Sequence, residues 1–257
     1  MTPCIPVSLL SRPVAHRALH DLSSGRPENS RAAVKAAIDA SYGIEIDIQV
    51  SSDGVAFVFH DHHLDRLTEK TGPVAGLSAK ALSQITLRGA DETIPTLVEI
   101  LDLVAGQVPL LVEIKDQDGT LGPDVGVLER AVTRDLADYA GDVAVMSFNP
   151  HIMAAMQASL PDCPRGLTTE DFAAASGDWT ASMTRLTELS GIPDVDRVGA
   201  SFISHDHRQL GHPRVSELRS RGLPVLCWTI RSPEEEADAR KMAQNITFEG
   251  YLPGGEA

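Results

Sequence analysis

Three scarcities narrow the field before any motif is considered. The 257-residue chain has no run of 18 or more apolar residues, so no membrane-spanning helix is expected. Its opening stretch lacks a basic region followed by a long apolar one, which speaks against a secretory signal. Cysteine is sparse: Cys4, Cys163 and Cys227 are odd in number, widely scattered and form no Cys-x-x-Cys pair. That pattern fits reduced thiols in a cytoplasmic protein better than a disulfide framework or a zinc site. Positive charge is short as well. The chain carries 22 Lys and Arg against 36 Asp and Glu, a formal charge of −14. A field of that sign opposes nucleic acid and anionic membranes, so neither is expected as a partner. Any anionic small molecule would need a local positive site, which a bound cation could supply. A glycine-rich phosphate loop and a G-x-S-x-G elbow are also absent.

What is present is 42% hydrophobic residues in ordered alternation. Short apolar runs at 13–17, 44–50, 109–115, 142–148, 165–169, 198–204, 223–230 and 245–250 read as strands, with helical patterns between most of them. The last of those helical stretches has Ser232 as N-cap, Pro233 at the first helical position and three acids in its first turn. Strand-then-helix order with short connections implies a parallel sheet. Eight such strands predict a (β/α)8 TIM barrel, one domain over residues 1–257. One stretch breaks the rhythm. After the turn "SSDG", the run "VAFVFH" (55–60) can pair back on the second strand as a hairpin, and residues at roughly 54–95 read as a small insertion on the barrel mouth.

The chemistry is concentrated in "GIEIDIQV" (43–50) and "PLLVEIK" (109–115). Alternate residues of a strand share a face, so Glu45 and Asp47 point the same way about 7 Å apart, and Glu113 and Lys115 repeat the pattern one strand later. Parallel neighbours lie about 4.8 Å apart, close enough for Glu113 to reach the first pair. Three carboxylates converging at a barrel mouth make an oxygen-rich, thiol-free site of the kind Mg²⁺ or Ca²⁺ prefers. Either acid of the first pair, taken alone, is better read as solvated at a strand end or paired with Lys115 or arginines. The repeated acid-x-charge pattern on adjacent strands favours the cation. His16 and Arg17 end the first strand, and His60 ends the returning one. Each histidine by itself is an ordinary surface or structural residue. Beside the acid cluster, two imidazoles can take and give a proton, and an arginine fork can hold phosphate oxygens. Phe148 and Trp228 are core residues by default, though both sit at strand ends that could line a pocket.

In order along the chain, "HR" (16–17), "PENS", "EIDIQVSSDG", "FHDHHLDRLT", "VEIK" and "CWTI" resemble the signature of the glycerophosphodiester phosphodiesterases. The likeness spans His16 to Thr229. It implies a (β/α)8 barrel with an insertion after the second strand, and metal-dependent hydrolysis of a small-molecule phosphodiester to an alcohol and glycerol 3-phosphate. By the same likeness Glu45, Asp47 and Glu113 bind one divalent cation, Mg²⁺ or Ca²⁺, and His16 and His60 are the acid–base pair. Arg17 and Lys115 hold the phosphate, Trp228 packs beside the alcohol portion, and Glu28 and Asn29 support the site. The chain departs from the pattern at Ala18, where glycine is usual, at Arg231, where asparagine is common, and in "ITFEGYLP", where Glu249 stands in for an aspartate. These departures border the alcohol, so a sugar or opine phosphodiester is the alternative substrate. A non-catalytic barrel that binds a phosphorylated ligand is the alternative from another class.

Overall fold

The computed structural model describes residues 2–172 and 179–254. Its strands are β1 (Val14–Ala15), β2 (Gly43–Val50), β3 (Ala56–Val58), β4 (Leu110–Ile114), β5 (Val143–Ser147), β6 (Arg165–Thr169), β7 (Phe202–Asp206), β8 (Val225–Ile230) and β9 (Asn245–Phe248). Eight of these pair in parallel in the order β1-β9-β8-β7-β6-β5-β4-β2, and β1 pairs with β2 to close the ring. The barrel is therefore the one the strand spacing predicts. β3 lies outside it, antiparallel to β2 with Ile48 opposite Val58, which makes the hairpin after "SSDG". One strand sits later than its apolar run suggests. Val198 and Ala200 are buried, but they pack in the turn before β7, which begins at Phe202. A buried apolar run alone cannot separate a strand from the turn that leads into it.

Alternation along the strands sorts the residues into two layers. On β2 the residues Ile44, Ile46, Ile48 and Val50, and on β4 Leu110, Val112 and Ile114, pack outward into one large apolar cluster with the surrounding helices. The opposite face of these strands turns into the barrel. Its lower part holds Leu111, Ala144, Met146, Phe202 and Leu226, and Ile5 and Leu9 of the leading segment join this inner cluster. The short helix Val7–Ser11 thus plugs the end where the strands begin, held by Asn245 Nδ2, which donates to the Leu9 carbonyl at 2.8 Å. Apolar contacts fill the lower barrel, so the charged inward positions are left to the C-terminal end. In the lower part Gly166 makes room, because a Cβ at that position would collide with the Phe202 ring.

Helices start where side chains can satisfy their free N–H groups. Ser30, Thr96, Asn149, Ser182 and Ser232 each accept a backbone N–H from the first turn of the helix they precede, and each such cap stabilises its helix by about 1 kcal/mol. The stretch after β3 carries its own small core: Phe57, Phe59, Leu64, Val74, Leu82, Ile85, Leu87 and Ile94 bury one another above the barrel wall. That core holds the segment around His60 against the barrel.

Candidate active site

The register places Asp47 of β2 directly beside Glu113 of β4. Together with Glu45, their carboxylate oxygens lie within 4.8 Å of one another, and all three residues are buried. Burial raises the pKa of Glu45 well above the usual range, and the nearby charges of Asp47 and Glu113 push it further. Glu45 Oε2 accepts the Arg17 backbone N–H at 2.8 Å, while its Oε1 is buried with no hydrogen-bond partner. An unpaired buried carboxylate oxygen facing two other carboxylates is costly unless a cation joins them. The donors are all oxygen, so the group fits a hard divalent ion such as Mg²⁺ or Ca²⁺.

Lys115 meets the same carboxylates. Its Nζ is 2.7 Å from Asp47 Oδ1 and 2.6 Å from Glu113 Oε1. Burial opposes the ammonium charge, but Asp47 and Glu113 override it and hold Lys115 protonated. Asp47, which burial would raise, is held low by Lys115 first, then by His60 and Arg17. Asn29 also donates to Asp47 Oδ2 at 2.9 Å, which gives the "EN" element a structural task.

Arg17, Ala18 and Asn29 all have left-handed backbone, with φ of 53°, 64° and 59°. At Ala18 this conformation strains the Cβ by roughly 1–2 kcal/mol, a strain that glycine would not carry. The turn persists because Glu45 holds both sides of it: the Ala18 N–H donates to the Glu45 carbonyl at 3.0 Å, beside the Arg17 bond already described.

Each imidazole is backed by a carboxylate. His16 Nδ1 lies 2.6 Å from Glu249 Oε2, and His60 Nδ1 lies 2.7 Å from Asp61 Oδ1. An ionised carboxylate only accepts, so Nδ1 carries the proton in both rings and Nε2 is left to exchange one. Burial lowers the His16 pKa, against the opposing pull of Glu249. Arg231 grips Glu249 from the other side, with Nε and Nη2 at 2.8 and 2.6 Å from Oε1. Asp61 belongs to a longer chain of ions: Arg66 bonds it at 2.8 Å and Glu28 at 2.7 Å, and Glu28 in turn accepts from Arg17 Nη1 at 2.8 Å. The residues behind His60 and those behind Arg17 are thus one network.

His16, Arg17, Glu45, His60, Glu113, Lys115 and Trp228 line one cavity of about 220 Å³, and Asp47 lies buried behind it. All eight residues singled out by sequence therefore come together. Trp228 and Phe148 are pocket walls rather than core, with ring centroids 5.6 Å apart and the Trp228 indole N–H donating to the Ser204 carbonyl at 2.9 Å. Thr168 and Thr247 also line this cavity. Their hydroxyls, and that of Ser204 beside Thr168 in register, are buried without a partner among the described residues. Sequence reasoning missed these hydroxyls, Arg66 and the ion chain, because a threonine in a strand is too common to signal a site. A second cavity of about 800 Å³ adjoins the first and shares His60, Glu113, Lys115, Phe148 and Trp228 with it. Among the described residues no helix is long and apolar enough to cross a membrane, and all three cysteines are free.

Comparison with known proteins agrees with this geometry. The model of the glycerophosphoryl diester phosphodiesterase family matches residues 16–246. Glycerophosphodiester phosphodiesterase 1 of Bos taurus is 34% identical over 257 residues, covering 87% of this chain and 73% of that one. YhdW of Bacillus subtilis is 23% identical over 238 residues, 89% of this chain and 90% of its own. Among solved structures, an Oleispira antarctica phosphodiesterase in complex with the product sn-glycerol-3-phosphate superposes with a TM-score of 0.76 at 22% identity, covering 95% of this chain and 94% of that one.

Proposed function

We propose, from the premise that the chain belongs to the glycerophosphoryl diester phosphodiesterase family and is a phosphodiesterase, that it hydrolyses glycerophosphodiesters to glycerol 3-phosphate and an alcohol by metal-dependent acid–base catalysis. The observation that carries this reading is the single cavity walled by both carboxylate-backed imidazoles, Arg17, Lys115 and the acid cluster. The product bound by the Oleispira antarctica relative supports the glycerol phosphate assignment.

Glu45, Asp47 and Glu113 would hold the divalent cation. When bound, it neutralises phosphate charge and stabilises the crowded phosphorus centre. Arg17 and Lys115 add positive charge to the phosphate oxygens. His16 lines only the smaller cavity, over the unpaired hydroxyls of Thr168 and Thr247, a floor suited to a polyol. It is assigned as the base on the glycerol side. His60 lines both cavities and is assigned as the acid that serves the departing alcohol. A water, or the adjacent glycerol hydroxyl, gives its proton to His16 Nε2 as its oxygen bonds to phosphorus. The bond from phosphorus to the alcohol oxygen breaks, and His60 protonates that oxygen. Attack by the glycerol hydroxyl leaves a cyclic diester, which one water opens with the two imidazoles in exchanged roles. Help of this kind is typically worth roughly 10²–10⁴-fold. The free thiols fit a reducing compartment, and the cytoplasm is the proposed location.

Purified protein with Mg²⁺ or Ca²⁺ should release glycerol 3-phosphate from a glycerophosphodiester, measured by a coupled dehydrogenase. No release with either ion, or equal release in EDTA, would overturn the reading.

A further inference from the structure

Arg66 stands outside both cavities, yet it holds the supports of two groups that line them. Its Nε and Nη2 donate to Asp61 Oδ2 and Oδ1, both at 2.8 Å. Its Nη1 and Nη2 donate to Glu28 Oε2 and Oε1 at 2.7 and 2.8 Å. Four of the five N–H donors of one arginine are thus committed to two carboxylates. Each carboxylate has a second partner that faces the site. Asp61 Oδ1 holds His60 Nδ1 at 2.7 Å, and Glu28 Oε1 accepts from Arg17 Nη1 at 2.8 Å. Burial would raise both carboxyl pKa values. The bonds from His60 and Arg66 keep Asp61 below its usual range, and those from Arg66 and Arg17 do the same for Glu28.

The His60 main chain is pinned without Arg66, because Gln49 Nε2 donates to its carbonyl at 3.0 Å. The direction of the ring is a separate matter, and Asp61 sets it. A carboxylate turns about its own side-chain bonds, and a planar fork that bonds both of its oxygens removes that freedom. Nη2 alone lies 2.8 Å from an oxygen of each acid. Without the cation between them these two like charges would repel, and Asp61 would swing away with His60 attached. Resting on the hydrolytic reading, we propose that Arg66 is a positioning residue: its guanidinium clamps the carboxylate behind the acid to the carboxylate behind the phosphate arginine, and so aims the His60 imidazole at the oxygen of the leaving alcohol. Arg66 touches neither substrate nor reacting atoms and acts through Asp61 and His60.

The test compares two diesters of glycerol 3-phosphate, one with glycerol and one with 4-nitrophenol as the leaving alcohol, in the presence of Mg²⁺ or Ca²⁺. The glycerol oxygen takes the His60 Nε2 proton as its bond to phosphorus breaks. Nitrophenolate leaves with the electron pair as a stable anion and takes no proton. The leaving group is measured in both cases, glycerol enzymatically and nitrophenolate by absorbance. Arg66→Gln should lower kcat on the glycerol diester about 100-fold, the cost of misplacing a reacting group by about 1 Å, and leave kcat on the nitrophenyl diester largely intact. A loosened Arg17 raises KM for both diesters alike, so the contrast in kcat isolates His60. Arg66→Lys keeps the charge and loses the fork, so part of the contrast should persist; this variant keeps the test decisive if Arg66→Gln fails to fold. Asp61→Asn should show the same contrast, and adding Arg66→Gln to it should lower kcat little further, since both act through one imidazole. Equal loss on the two diesters, no loss on either, full recovery with Arg66→Lys or additive losses in the double variant would overturn the proposal. Release of neither leaving group by the parent protein would refute the hydrolytic reading and the proposal with it, whereas equal loss refutes the proposal alone.

Discussion

Replacing Glu249 with glutamine should slow hydrolysis about tenfold and carry the acid limb of its pH profile downward. Glu249 holds His16 Nδ1 at 2.6 Å across 233 residues of sequence. A hydrogen bond to an ionised partner is worth about 1.5–3 kcal/mol net, a neutral one about 0.5–1.5. Glutamine can still accept the Nδ1 proton, so the ring stays aimed and only the charge is lost. The difference is about 1–1.5 kcal/mol, or roughly tenfold in rate if the imidazolium forms in the transition state. The sign of the pH effect follows from the same contact. Burial lowers the His16 pKa and Glu249 raises it, so removing the carboxylate charge lowers it further and the base stays competent at lower pH. Arg231, on the far side of Glu249, supplies an internal control: Arg231→Gln removes a nearby cation and should shift the same limb upward. The assay is kcat/KM against pH on one glycerophosphodiester for the parent and both variants. A merely structural Glu249 would lower stability and leave the limb in place. An unmoved limb, or two variants that shift it the same way, would refute the positioning role.

Removal of divalent ions should abolish turnover, and readdition should be visible in stability alone. At a hundredfold excess over Kd, a ligand of the folded state adds about 2.7 kcal/mol, or roughly 5–10 °C in Tm for a chain of this size. Glu113→Gln should remove most of that shift, and a Tm indifferent to Mg²⁺ and Ca²⁺ would count against the cation. His205 gives a pH dependence away from the site. It is 2% exposed, and burial lowers its pKa to about 4. The unfolded chain therefore takes up this proton first as pH falls from 6.5 to 4, and about 3 kcal/mol of stability is lost across that window. Urea midpoints should show this slope, and His205→Gln should flatten it. Gly166→Ala should destabilise the barrel by about 1–3 kcal/mol, because the added Cβ meets the Phe202 ring inside a packed core. A melt unchanged by that substitution would mean the ring has room to move.

The barrel was legible because its strands are apolar runs of the right length, and the acid pairs were legible because alternation sends Glu45, Asp47 and Glu113 to one face. The start of β7 was not, since Val198 and Ala200 are as buried in their turn as they would be in a strand. The supports were hidden by distance. Nothing near Glu249 announces a partner for His16, and only the closure of β1 onto β9, with Ala15 beside Phe248, sets them side by side. Trp179 belongs to no strand and follows no motif. Its place beside Phe148, with ring centroids 5.2 Å apart, is a tertiary contact that pattern reading does not reach.

Charge gives a reason for the acid cluster to take an ion on the proposed reading. Glu45, Asp47 and Glu113 bring three negative charges when ionised, and Arg17 and Lys115 bring two positive ones. The ion chain behind them adds one more negative charge, since the single cation Arg66 is shared between Glu28 and Asp61. These groups together are then two charges negative, in a protein that is already strongly acidic, and a phosphodiester anion would be repelled from the mouth. A bound divalent cation would bring that balance to zero and lift the repulsion. It would also give the unpaired Glu45 Oε1 a partner. Lys115, now held by Asp47 and Glu113, would share those carboxylates with the cation and be freer to turn toward the phosphate. On the proposed reading, substrate and ion therefore bind with positive coupling. Each should tighten the apparent Kd of the other by the same factor, which calorimetric titration of a slow diester with and without Mg²⁺ measures. Independent binding of the two would break the link between the cluster and the phosphate.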